Sequence, residues 1–130
     1  MLREEQDFST NSEETIETEE STLEVQAIVC RSCDTKLSSA AYIITMGTKG
    51  ASQAFSNPAG QLREILTLSQ VWNLQLEPKA TTDFTWYPGY AWRICYCAGC
   101  NTHLGWRYEA VAESSPNSFF GLLSKAIKEV

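Results

Sequence analysis

Tyr90-Ala91-Trp92-Arg93-Ile94-Cys95-Tyr96-Cys97-Ala98-Gly99-Cys100-Asn101-Thr102-His103-Leu104-Gly105-Trp106-Arg107-Tyr108 is the stretch that decides the fold. Two aromatic-rich runs flank a Cys-x-x-Cys turn. The pattern predicts strands over Tyr90–Tyr96 and His103–Ala112 joined as a hairpin. A symmetric antiparallel hairpin centred between Cys97 and Cys100 brings Trp92 within one residue of direct opposition to Trp106. Trp106 and Tyr108 are two apart, so they project to one face.

A second knuckle, Cys30-Arg31-Ser32-Cys33, lies 63 residues upstream. Two thiolates so spaced grip one ion from a tight turn, and two such turns complete a tetrahedron of sulfurs, a geometry suited to zinc. Closing so long a loop costs roughly 3–4 kcal/mol, against the roughly 10–16 kcal/mol that structural zinc supplies. Cys30, Cys33, Cys97 and Cys100 are therefore the expected ligands of one structural zinc. Three alternatives stand beside this reading: a redox dithiol in one or both pairs, Cys95 replacing Cys97, and His103 completing a site of three Cys and one His. Cys95 is off the knuckle spacing and alternates within a strand, which suits a semi-buried free thiol.

Outward from these knuckles the chain reads as mainly β. Val25–Val29 leads into the first Cys pair. Ala40–Met46 is β-branched and aromatic and predicts a strand, followed by a turn over Gly47–Gln53. Asn57-Pro58-Ala59-Gly60 is a turn, because Pro fixes its φ and Gly accepts a positive one. Leu62–Leu68 and Val71–Leu76 predict two more strands. In the second, Trp72, Leu74 and Leu76 share a face, and Trp72 is expected in the core. Glu77–Thr85 reads as a loop. After Ser115-Pro116, the residues Phe119, Phe120, Leu122, Leu123, Ala126 and Ile127 recur at helical spacing, although Gly121 weakens that helix. Beyond the two Cys pairs no repeat is visible.

Net charge is −6, unevenly placed. Residues 1–24 hold nine acids and one base, with abundant Ser and Thr, and predict a disordered acidic tail. Residues 25–130 hold nine bases and seven acids and form the expected domain. Neither part offers the basic patch that attracts nucleic acid or anionic lipid. No run of eighteen apolar residues exists, so no membrane-spanning helix is expected. The acidic start lacks the pattern of a secretory signal, so an intracellular (cytoplasmic or nuclear) setting is expected. A monomer is expected as well.

Three of the four tryptophans, Trp86, Trp92 and Trp106, crowd around the hairpin. Trp86 arrives from the turn segment Thr85-Trp86-Tyr87-Pro88-Gly89. One reading places these indoles in the core. The other has them wall a pocket for a flat or cationic guest, with Tyr108 on the same face and backbone groups at the rim. Each indole N–H needs a partner, which is hard to arrange for several in one core.

The string Trp86-Tyr87-Pro88-Gly89-Tyr90-Ala91-Trp92 resembles the signature of the CULT domain family, the thalidomide-binding domain of cereblon. Cys97-x-x-Cys100-x-x-His103-Leu104-Gly105-Trp106-Arg107-Tyr108 resembles that family's second knuckle and following strand. Asn57-Pro58-Ala59-Gly60 is similar to its ligand-side turn, and Phe119-Phe120-Gly121-Leu122 to its closing segment. The resemblance runs from about Val25 to Ala126. It implies a β-tent of two antiparallel sheets pinned by a four-cysteine zinc site. It implies a cage of Trp86, Trp92 and Trp106 with Tyr108 at the base and Asn57 and Pro58 over the mouth. The implied guest is a cyclic imide, such as a glutarimide of the thalidomide type, a protein C-terminus cyclised to an imide, or a uridine-like pyrimidine. Backbone groups of Phe84 and Trp86 would pair with the imide edge. Animal cereblons carry His where Phe84 stands, so that side-chain hydrogen bond is unavailable. The family's full-length members place a Lon-like domain before this one. This chain has an acidic segment there, so a ubiquitin-ligase adaptor role is not carried over.

Two alternatives follow from the same residues. A quaternary ammonium or methyl-lysine group suits three indoles. Methionine-sulfoxide reductases of the B type share paired knuckles and would need Cys95 as nucleophile. No other catalytic constellation is visible, and the expectation is a binding module, not an enzyme.

Overall fold

The computed structural model describes residues 26–47 and 50–130. The tail expected over residues 1–24, and Val25, lie outside the described residues. Nine strands form two antiparallel sheets among the described residues. They are β1 (Ala27–Cys30), β2 (Lys36–Ser39), β3 (Ser52–Ser56), β4 (Leu62–Leu68), β5 (Leu74–Leu76), β6 (Tyr90–Cys97), β7 (His103–Ala110), β8 (Ser118–Leu123) and β9 (Ile127–Glu129). The small sheet runs β9-β1-β2 and the large one β3-β4-β8-β7-β6-β5. The fold is the mainly β, two-sheet architecture expected, with the four cysteines gathered at one point where the sheets join.

The hairpin forms with its register moved from the symmetric expectation. Trp92 stands opposite Tyr108, and Ile94 opposite Trp106. A shift between Cys95 and Tyr96 displaces the pairing. Trp92 and Trp106 are thus diagonal neighbours on one face, still within reach of aromatic side chains. Gly105 makes the shift possible. Its φ is +152°, and a Cβ there would lie 2.1 Å from the Gly121 carbonyl oxygen.

Several expected elements differ. Residues 119–127 are not helical. They form β8, a 3-10 turn (Ser124–Ala126) and β9. β8 lies between β4 and β7, with core on both faces, so its apolar residues do not alternate and mimic a helical stripe. Gly121 is there for close packing, since a Cβ would meet Ile65 Cδ1 at 2.8 Å. The Ala40–Met46 strand is reduced to a 3-10 turn (Ala40–Tyr42) and a single bridge, Ile43 to Leu68. The Ser39 hydroxyl accepts from the Ala41 N–H and caps that turn. Beyond it, buried Thr67 donates to the Ile44 carbonyl at 2.6 Å, replacing a ladder. Ser52 and Gln53, read as the end of a turn, open strand β3 (Ser52–Ser56). Val71–Leu76 keeps only its second half. Asn73 takes a left-handed φ of 61° and donates to the Lys36 carbonyl. That bend turns Trp72 outward against Tyr42, so Trp72 is 47% exposed and is not core.

Two apolar clusters fill the interior. Ile28, Leu37, Leu68, Cys95, Leu104, Leu122 and Ile127 pack beneath the cysteines. Ile65, Tyr87, Tyr90, Tyr108 and Phe119 form an aromatic cluster, and Trp86, Trp92 and Trp106 rest on it.

Candidate functional site

The two knuckles have the same internal geometry. The Asp34 N–H donates to the Cys30 carbonyl, and the Asn101 N–H to the Cys97 carbonyl. The Cys30 N–H reaches the Thr35 carbonyl, and the Cys97 N–H the Thr102 carbonyl. Asp34 and Asn101 both sit in left-handed backbone, φ 64° and 65°. Each hydroxyl that follows lies 3.0 Å from a thiol, Thr35 beside Cys33 and Thr102 beside Cys100. The repeat is therefore Cys-x-x-Cys-Asp/Asn-Thr, longer than the paired cysteines reveal. The two threonines are the site residues that spacing alone missed. Their signal was the threonine common to both knuckles two residues after the second Cys.

All four Sγ atoms lie within 4.8 Å of one another. Cys30–Cys100 and Cys33–Cys97 are each 3.6 Å apart. A tetrahedral zinc with Zn–S of about 2.3 Å requires sulfurs about 3.8 Å apart, so the donor set fits that ion. Donors to the sulfurs favour thiolate: Thr102 lowers the Cys100 thiol to about 6, and the Gly99 N–H points at Cys97 Sγ. Burial pushes Cys30 up to about 12, and bound zinc removes that proton. His103 lies outside this group. Its ring stands edge-on to Trp106 at 5.2 Å. Cys95 is fully buried opposite Gly105, on the strand face away from Trp92. Burial pushes its thiol up to about 12, which leaves little thiolate for nucleophilic attack.

Asn57, Pro58, Phe84, Trp86, Trp92, Trp106 and Tyr108 line a cavity of ≈ 180 Å³. Trp92 comes from β6, Trp106 and Tyr108 from β7, and Asn57 and Pro58 from the β3–β4 turn. That turn is closed by the Asn57 carboxamide, which accepts from the Gln61 N–H at 2.9 Å and donates to the Gln61 side chain. Trp86 is stacked on Phe55 (5.0 Å, 8° between planes) and stands edge-on to Trp106. Its Nε1–H donates to the Ser56 carbonyl, and Trp92 Nε1–H to the Asp83 carbonyl. Both donors are thus used in building the walls, and one face of Trp86 is covered by Phe55. Tyr108, at the floor, is stacked on Phe119 at 4.8 Å and edge-on to Tyr87.

The loop carrying Phe84 is fixed at its base. Thr81 and Trp92 exchange two backbone hydrogen bonds, and Arg93 donates to the carbonyls of Glu77 and Pro78 at 3.1 Å. Phe84 itself is 74% exposed with φ 57°. A non-glycine residue in that region costs roughly 1–2 kcal/mol, and such strain concentrates at ligand clamps. Among the described residues, the N–H and C=O of Phe84 and the N–H of Trp86 have no backbone partner.

A two-sheet β fold joined by a tetrathiolate zinc centre defines a class of zinc-binding domains. A family model described as Yippee zinc-binding/DNA-binding/Mis18, centromere assembly, matches residues 26–130, and the chain belongs to that family. It is also similar to protein cereblon from several animals. It is 35% identical over 103 residues to that of Gallus gallus, covering 78% of this chain and 23% of that protein. It is 37% identical over 103 residues to that of Danio rerio, covering 78% and 24%. It is 31% identical over 102 residues to that of Drosophila melanogaster, covering 76% and 17%. The chain spans a quarter or less of the length of these curated relatives. Among the described residues, no helix is long and apolar enough to cross a membrane.

Proposed function

We propose that this chain is a CULT-type binding module whose tryptophan cavity holds a cyclic imide ring. The observation that carries the reading is the pairing of apolar indole walls with an unpaired backbone edge at Phe84 and Trp86. An imide presents C=O, N–H and C=O along one edge. The Phe84 carbonyl can accept its N–H and the Trp86 N–H can donate to a carbonyl, while the ring carbons lie against the indoles. The size also favours one ring. At ≈ 180 Å³ the cavity is smaller than the roughly 300–1,000 Å³ of sites for drug-sized ligands. Strain at Phe84 is consistent with a backbone held ready for its guest.

The candidate guests are glutarimides, protein C-termini cyclised to an imide, and uridine-like pyrimidines. A quaternary ammonium fits less well, because no carboxylate lines the cavity and a cation cannot use the Phe84–Trp86 edge. Four cysteines gathered as metal ligands rather than paired as disulfides support the intracellular setting. The test is titration with thalidomide, uridine and tetramethylammonium while following indole fluorescence. The imide and the pyrimidine are expected to change the emission saturably, and the cation is not. A response to the cation alone would replace the imide reading by the ammonium one.

A further inference from the structure

No basic run exists along the sequence, yet the fold assembles a basic cleft. Arg31 comes from the first knuckle, Arg63 from β4 and Lys125 from the 3-10 turn before β9, and together they line a cleft of ≈ 330 Å³. It shares no lining residue with the tryptophan cavity. Glu64 is the one acid among its lining residues. Residues 25–130 hold nine bases and seven acids, so outside this cleft six bases meet six acids. The domain's whole positive excess is therefore in one place.

That excess is not neutralised from within. Among the described residues, the ion pairs join Arg93 and Arg107 to Glu109 and Lys128 to Asp34, and none involves the cations of the cleft. Arg31 is oriented by neutral partners: its Nε donates to the Lys125 carbonyl at 3.1 Å and its Nη2 to the Ile127 carbonyl at 2.8 Å. Arg63 Nη2 donates to the Gln61 side-chain oxygen at 2.9 Å. Glu64 accepts from the Ser52 hydroxyl. These bonds fix the guanidinium groups and leave their charge.

The complementary charge is carried by the same chain. Glu13, Glu14, Glu17, Glu19 and Glu20 fall within eight residues that hold no base. Arg31 is five residues from Gln26, at most about 18 Å along an extended chain. Nine residues from Gln26 back to Glu17 reach up to about 30 Å, so the run can return to the cleft. A tether so short sets a local concentration on the order of millimolar. Ile16 lies inside the run, and Leu62, 71% exposed, lies at the cleft. A free polyanion such as nucleic acid would instead meet a chain of net charge −6.

We infer that the Arg31–Arg63–Lys125 cleft is a docking site for an acidic peptide, and that its occupant is the run Glu13–Glu20 of the same chain. Carboxylates of the run pair with the three cations, and Ile16 covers Leu62. Each exposed pair is weak alone, and the tether lets several act together.

The test is zero-length carbodiimide coupling of carboxylates to amines on the full chain with zinc bound, read by mass spectrometry. Lys125 is expected to join the glutamates of residues 13–20 in several-fold higher yield than Lys36 or Lys79. Sodium chloride at about 1 M, where charges are screened within about 3 Å, is expected to remove that preference. Arg63→Glu is expected to lower the Lys125 yield about two- to fivefold. Even coupling over the lysines, or coupling found only between chains in a mixture of isotopically light and heavy protein, would overturn the proposal. A second measurement leaves the folded domain unaltered. Glu13→Gln, Glu14→Gln, Glu17→Gln, Glu19→Gln and Glu20→Gln together are expected to shift the amide NMR resonances of Ser32, Arg63 and Lys125. Unmoved resonances would overturn the proposal, and if they then moved with a single-stranded oligonucleotide, the cleft would belong to a phosphate backbone instead.

Discussion

Four non-glycine residues take left-handed backbone among the described residues: Asp34, Asn73, Phe84 and Asn101. Three are Asp or Asn, which tolerate that conformation through local hydrogen bonds. Asp34 and Asn101 shape the knuckles, and Asn73 bends the chain before β5. Phe84 has no such compensation and little packing, being 74% exposed. Replacing it with glycine is therefore expected to stabilise the unliganded protein by about 1 kcal/mol, raising the thermal midpoint by a few degrees. Calorimetry of Phe84→Gly checks this. A lower midpoint would show that the ring is anchored. Glycine keeps the Phe84 N–H and C=O but frees the backbone that holds them, so imide binding is expected to persist and to weaken.

Among elements, the β6–β7 hairpin supplies three of the seven residues that line the cavity, and β8 backs it. Trp92, Trp106 and Tyr108 share one face of the hairpin because two-residue spacing and cross-strand pairing agree. The opposite face sends Cys95 and Leu104 into the core under the zinc. β8 backs the hairpin so closely at Gly105 that the Gly121 carbonyl and Leu122 Cα occupy the space of a Cβ, at 2.1 and 2.9 Å. These are backbone atoms and cannot rotate away. Gly105→Ala is expected to cost about 3 kcal/mol, at the upper end of overpacking effects. Its urea midpoint should fall accordingly. An unchanged midpoint would mean that the two strands can separate without loss.

Across the whole molecule, one ion joins two sheets. β1 enters the first knuckle from the small sheet, and the second knuckle is the turn between β6 and β7 of the large one. Removing zinc leaves four thiols crowded within 4.8 Å. Ligand thiols must be deprotonated, so zinc affinity falls as pH falls, and acid and chelator act in the same direction. Treatment with EDTA is expected to abolish the near-ultraviolet dichroism of the tryptophans together with imide binding. An aromatic signal that survives complete removal of zinc would show that the two cores hold the sheets without the ion.

The residues settled much of this locally. Cys-x-x-Cys spacing named the four ligands, because a tight turn is what lets two thiolates share one ion. Period-two alternation put Trp106 and Tyr108 on one face. What needed the tertiary structure were outcomes of neighbours distant in sequence. Trp72 is apolar and in phase with Leu74 and Leu76, yet the Asn73 bend and its bond to Lys36 turn it outward. Residues 119–127 have a helical pattern, and only their place between two strands makes them β8. The hydrogen-bond partners of Trp86 and Trp92, carbonyls of Ser56 at the end of β3 and of Asp83 in the loop before β6, approach in a way no spacing rule encodes. Period and spacing follow from covalent geometry and can be read along the chain, whereas a side chain's final environment is fixed by whatever the fold packs against it.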